Sequence, residues 1–170
     1  MGMAGLLGVG LLVYLAIVAG IIHMAEISFN PADVVYGETV HASHEMMMDG
    51  VLNISNNLPM DASARPEIQV SEQFYDFGDV GANQVLKHTF VIENLGQAPL
   101  VIVHAYTTCG CTAADFTSAN IPPGKVALMT LQFDPGYHDM HGTTVRRGVM
   151  VETNDPEHPL QEIWIQASVK

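Results

Sequence analysis

Hydrophobic and polar positions divide the chain into three textures. The first, Met3–Met24, reads MAGLLGVGLLVYLAIVAGIIHM without a charged residue, long enough to cross a bilayer as a helix. The second, residues 26–65, has weak periodicity, scattered Asn, Pro, Asp and Ser, and few large apolar residues. A stretch that long without clear elements reads as a tether or an arm that wraps a partner, not as a loop inside a compact domain. The third, 66–170, consists of short alternating runs bounded by turn residues, the pattern of an all-β sandwich. Seven strands are predicted: Glu67–Ser71, Phe74–Phe77, Val85–Asn94, Leu100–Thr107, Val126–Phe133, Thr143–Thr153 and Leu160–Val169. The expected architecture is all-β: a single seven-stranded immunoglobulin-like sandwich (66–170), preceded by one N-terminal transmembrane helix (1–25) and an irregular tether (26–65).

The sandwich is organised around His88–Thr112. Its first run ends at the turn Asn94-Leu95-Gly96. The second, Pro99–Tyr106, places Leu100, Ile102 and His104 on one face and Val101, Val103 and Ala105 on the other. With both faces mostly apolar, it belongs inside the sandwich and away from its edge. It then delivers Cys109-Gly110-Cys111, which holds the chain's only cysteines. Trp164 alternates with Ile163 and Ile165 and reads as core or half-core.

Charge narrows the partners. Eighteen acidic residues against six basic ones give a formal charge of −12. Nucleic acid needs a basic footprint and is excluded as a partner, and docking on anionic lipid is disfavoured. An acidic surface suits a basic soluble electron carrier, and equally serves plain solubility. The apolar run has no cationic flank and no clean small-x-small cleavage site, so it reads as a retained anchor. The first charge is Glu26 and the first basic residue Arg65, so no Lys or Arg fixes the orientation. The acidic, β-rich remainder favours N-in, C-out. Gly5, Gly8 and Gly10 could give close contacts with partner helices, although glycines are also tolerated in spanning helices for no such reason.

Three readings of Cys109 and Cys111 stay open: a reduced packed pair, a disulfide across one glycine, or thiolate ligands of a soft metal. A metal reading draws further ligands from His104, His138, Met140 and His141, a His, Met and Cys inventory that suits copper. The spacing of a cupredoxin is missing, and finger spacing for zinc is missing too. The segment His41–Asp49 adds His41, His44 and Met46–Met48, either as soft ligands or as linker and interface residues. His88 on a strand reads as a satisfied structural histidine. No nucleophile elbow, phosphate-cradling glycine loop, zinc-protease or haem-attachment motif is present. Thiol–disulfide exchange is disfavoured, because no helix N-terminus is expected to lower a cysteine pKa.

The series Phe77-Gly78-Asp79-Val80, His88-x-Phe90-x-Ile92-x-Asn94-x-Gly96, Pro99-Leu100-x-Ile102, Cys109-Gly110-Cys111-Thr112, Pro123-Gly124 and Thr153-Asn154-Asp155-Pro156 carries a resemblance. It resembles a bacterial exported immunoglobulin-like family with a Cys-Gly-Cys-Thr signature, a domain of unknown function similar in fold to ASH and major-sperm-protein domains. The resemblance covers residues 66–170 and implies an exported sandwich with no assigned reaction. The expected protein is non-enzymatic and cofactor-free. It is a single-pass accessory subunit of the bacterial cytoplasmic membrane, held by residues 3–24 in lipid. Its C-terminal domain covers the extracytoplasmic side of an integral complex of the electron-transfer or respiratory kind. The alternative is a membrane-tethered protein that binds or delivers copper.

Overall fold

The computed structural model describes residues 29–44 and 64–170. Ten strands form two five-stranded sheets. One sheet has the order β1 (Val40–Ala42), β6 (Thr112–Phe116), β8 (Val126–Phe133), β4 (Leu86–Asn94), β2 (Ile68–Val70). The other has the order β3 (Phe74–Val80), β10 (Leu160–Val169), β9 (Thr144–Thr153), β5 (Leu100–Thr107), β7 (Asn120–Ile121). All pairings between strands are antiparallel except β3 with β10.

Alternation builds the core. On β4 and β8, Phe90 lies opposite Met129, and both are buried with Ile92, Leu131 and Phe133. On β9 and β10, Val149, Val151, Ile163 and Ile165 face them from the second sheet. Burying side chains of this size stabilises by about 1.5–3 kcal/mol each before conformational entropy is counted. Trp164 points the other way, onto the solvent face, where Arg146 lies 5.0 Å from its ring and 5.2 Å from the ring of Phe74.

Strand count and register correct two expectations. Among the described residues the strands number ten, not seven: β1, β6 and β7 are additional. They are short or built from small and polar residues (VHA, TAADF, NI), so periodicity leaves no mark on them. On β5 the register shifts between Ile102 and His104. The bulge adds one residue and swaps the faces beyond it. Ala105 and Thr107 therefore turn inward with Leu100 and Ile102, while His104 stays on the surface.

The irregular tether is also corrected over its described part. Asn30 caps a 3-10 turn, Pro31–Asp33, by accepting from the Ala32 N–H at 3.0 Å. Val34 then bridges Val126, the Val35 N–H donates to the Val126 carbonyl, and β1 pairs with β6. Ser43 crosses to the second sheet, bridging Tyr106 and accepting from the Thr107 N–H. Residues 33–44 therefore close one side of the sandwich and touch both sheets. Among the described residues no helix is long and apolar enough to cross a membrane; the expected span, with Gly5, Gly8 and Gly10, lies outside them.

Strand direction gives the sandwich two ends. One gathers the start of the arm, Asn94–Pro99, Pro122–Lys125 and Asn154–Pro159. The opposite end gathers Thr108–Cys111, Asp134–Thr143 and Gly81–Val85. The eight residues of β8 run between them, roughly 25 Å at the usual rise of a strand.

Candidate functional site

β5 ends at Thr107 and β6 begins at Thr112, and the loop between them changes sheets. Within it Cys109 and Cys111 are joined as a disulfide with Cα atoms 5.2 Å apart. Thr107 holds the loop from below, its hydroxyl near both the Cys109 carbonyl (3.0 Å) and the Thr112 carbonyl (3.1 Å). The Thr112 N–H closes the turn onto the Cys109 carbonyl, and the Asp134 N–H donates to the Cys111 carbonyl at 2.9 Å. The loop is thus fixed by backbone and threonine bonds as well as by its sulfurs.

The two sulfurs have different surroundings. Cys111 is 2% exposed, whereas Cys109 is half-buried. Cys109 Sγ accepts from the Cys111 N–H at 3.1 Å. Cys111 Sγ accepts from Arg147 Nε at 3.3 Å, reached across from β9. Thr112 Oγ1 stands 3.4 Å from the first sulfur and 3.7 Å from the second. Exposed Gly110 lies under the ring of Tyr137, itself 58% exposed. The arrangement places a cation beside the sulfur of the buried cysteine, while the other cysteine is only partly buried at the edge of the core.

Of the residues considered as copper ligands, His138, Met140 and His141 share one end of the sandwich with Cys109 and Cys111. Met140 is buried in the core, while His138 and His141 on either side of it are exposed. His104 lies on the outer face of the second sheet, stacked on Tyr106 and 3.9 Å from Glu152. His41 pairs with Asp115 at 2.7 Å, and His44 contacts the Thr107 carbonyl. Among the described residues no group of three or more His, Cys, Asp or Glu side chains converges as a metal site. Met46–Met48 lie outside the described residues. His88 bonds Glu72 at 2.6 Å and stacks on Tyr75, a structural role. Arg147 is the residue that sequence reasoning missed; it lies 36 positions from Cys111, with no local pattern linking them.

Two sheets packed face to face, with a bridged Cys-Gly-Cys loop at one end, define an immunoglobulin-like β-sandwich protein. Residues 68–169 match the family described as "Protein of unknown function (DUF1573)", and the chain belongs to that family. The arm lies outside the matched residues. A protein of unknown function from Porphyromonas gingivalis W83 is similar in structure, with a TM-score of 0.58 and 23% identity over 66% of this chain and 51% of that one. This chain thus spans about half the length of that relative. The ASH/PapD-like domain 7 of human CEP192 gives a TM-score of 0.48 at 10% identity, covering 66% of this chain and 92% of that one. The YadV chaperone gives 0.45 at 14% identity, covering 61% and 52%. No curated protein matches the chain.

Proposed function

We propose that the chain is a non-catalytic accessory subunit of a larger membrane complex, anchored through residues 3–24, with its sandwich on the extracytoplasmic side. One observation supports this reading most: the arm is built into the sandwich from Asp33 onward. Residues 25–32 separate the apolar run from the first contact with the folded domain, a reach of roughly 30 Å at full extension. The sandwich is therefore held near the membrane surface as a cap, on a spacer far shorter than residues 26–65 would give. The end carrying Pro31–Asp33 and Pro122–Lys125 faces the bilayer, and the Cys-Gly-Cys loop stands at the far end.

A fixed cap suits a subunit that covers and positions others, and the electron-transfer or respiratory class is the host we assign. The acidic balance of the chain suits docking of a basic soluble carrier on that host. The alternative, copper delivery, has no converging group of three His, Cys, Asp or Glu side chains behind it among the described residues. The test is a native gel of the chain solubilised from its own membrane in mild detergent. Co-migration with a large assembly is expected; a small species carrying about one copper per chain would overturn the reading.

A further inference from the structure

We propose that Cys109 and Cys111 form a thiol–disulfide exchange site whose partner is a dithiol protein, with Arg147 as a positioning residue for the Cys111 thiolate. The inference stands without the accessory-subunit reading: it keeps the seating proposed there and replaces its non-catalytic part. A bridge across a single residue constrains little of the unfolded chain, and backbone and threonine bonds already hold this loop. The disulfide is thus largely redundant as a staple. Its surroundings are those of a reactive pair.

The asymmetry sets the direction of attack. Cys109 is the less buried cysteine, beside exposed Gly110, and Cys111 is buried against Arg147. A partner thiolate attacks Cys109 Sγ; the Sγ–Sγ bond breaks and its electron pair leaves on Cys111. The partner sulfur and Cys109 are then joined as a mixed disulfide. The partner's second thiolate attacks its own bonded sulfur, and Cys109 leaves and takes up a proton. The partner departs as a disulfide, oxidised by two electrons, and the Cys109–Cys111 pair is reduced. Cys111 stays a thiolate, so the second proton goes to solvent.

Arg147 favours this outcome through a difference between states. A disulfide sulfur is a weak acceptor, whereas a thiolate accepts a charge-assisted bond from the same guanidinium. A nearby cation lowers a thiol pKa as a helix N-terminus does, so the missing helix is no obstacle. Only such a differential contact can move the equilibrium, and stabilising the reduced form makes the pair a better oxidant.

The experiment equilibrates the full chain in detergent with dithiothreitol redox buffers at pH 8 and reads the disulfide fraction by alkylation and mass. Arg147→Gln is expected to shift the equilibrium about tenfold toward the disulfide. Arg146→Gln removes the same charge from the outer face of the sheet and is expected to leave it unchanged. Equal shifts in both variants, or none in either, would overturn the proposal. Thiolate absorbance of the reduced wild-type chain against pH provides a readout free of any folding defect. One thiol ionising well below the ordinary range supports the site; two ordinary thiols overturn it.

Discussion

Lys125 Nζ donates to Asp33 Oδ1 at 2.6 Å, pinning the start of the arm to the turn before β8. Both side chains are more than a third exposed, so the pair itself contributes about 1 kcal/mol at most. The backbone ladder behind it contributes more. Asp33→Ala should therefore lower stability only slightly. A chain beginning at Ala64 loses β1, uncovers the edge of β6 and leaves Phe116 short of a neighbour. Its thermal midpoint is expected to fall by about 10 °C or more, with aggregation through the bared edge. An unchanged midpoint would mean that the arm is dispensable.

Asn94 is fully buried at the end of β4. Its amide donates to the Ala98 and Ile121 carbonyls, each at 2.8 Å, and its oxygen accepts from the Gly96 and Glu67 N–H groups. One side chain thereby joins the turn before β5, the start of β2 and the end of β7. Asn94→Ala leaves buried groups unpaired at about 1–3 kcal/mol each. Denaturant unfolding should show a loss of at least about 2 kcal/mol.

Asp155 makes stability depend on pH. Burial, the largest influence, raises its pKa, but N–H groups of Ile68, Glu157 and His158 and the His158 ring together hold it below the ordinary value. The carboxylate is 2% exposed and accepts from Ile68 N and Glu157 N, both at 2.9 Å. The folded state therefore binds this proton less tightly than the unfolded state. The stability it contributes is complete above the ordinary carboxylate value and lost as pH falls through the folded value. Urea midpoints from pH 7 to 2 should fall more shallowly for Asp155→Asn than for wild type, from a lower start at pH 7. Parallel curves would contradict this.

Two glycines predict opposite outcomes for the same change. A methyl on Gly96 would strike backbone atoms of Arg65, Pro66 and Glu67, which cannot move without undocking β2. Gly96→Ala should cost about 1–3 kcal/mol or more. A methyl on Gly110 would meet only the ring of exposed Tyr137, which can swing aside. Gly110→Ala should leave the thermal midpoint nearly unchanged.

Much of the sandwich was legible in the chain because its long strands bury one face each. The bounds of β4, β5, β8, β9 and β10 follow from alternation and from turns such as Asn94-Leu95-Gly96 and Pro122-Pro123-Gly124. What escaped depends on distant partners. Val40–Ala42 is too short to show a period and becomes a strand only because β6 offers it an edge. Ala113 and Ala114 have low strand propensity and pair because the disulfide loop delivers them beside β8. The β5 bulge reversed the expected faces of His104 and Ala105. At the site, the cysteine pair was visible, while its asymmetry was not. Arg147 reaches Cys111 only after β9 and β6 have taken their places.

The seating of the sandwich is read most directly by fluorescence quenching in reconstituted vesicles that carry a quencher on the lipid headgroup. One probe goes at Leu95, exposed at the arm-entry end, and the other at His138, exposed beside the Cys-Gly-Cys loop. Strong quenching at Leu95 with little at His138 is the expected result. Equal quenching at both, or stronger quenching at His138, would contradict a domain held with its arm-entry end on the membrane.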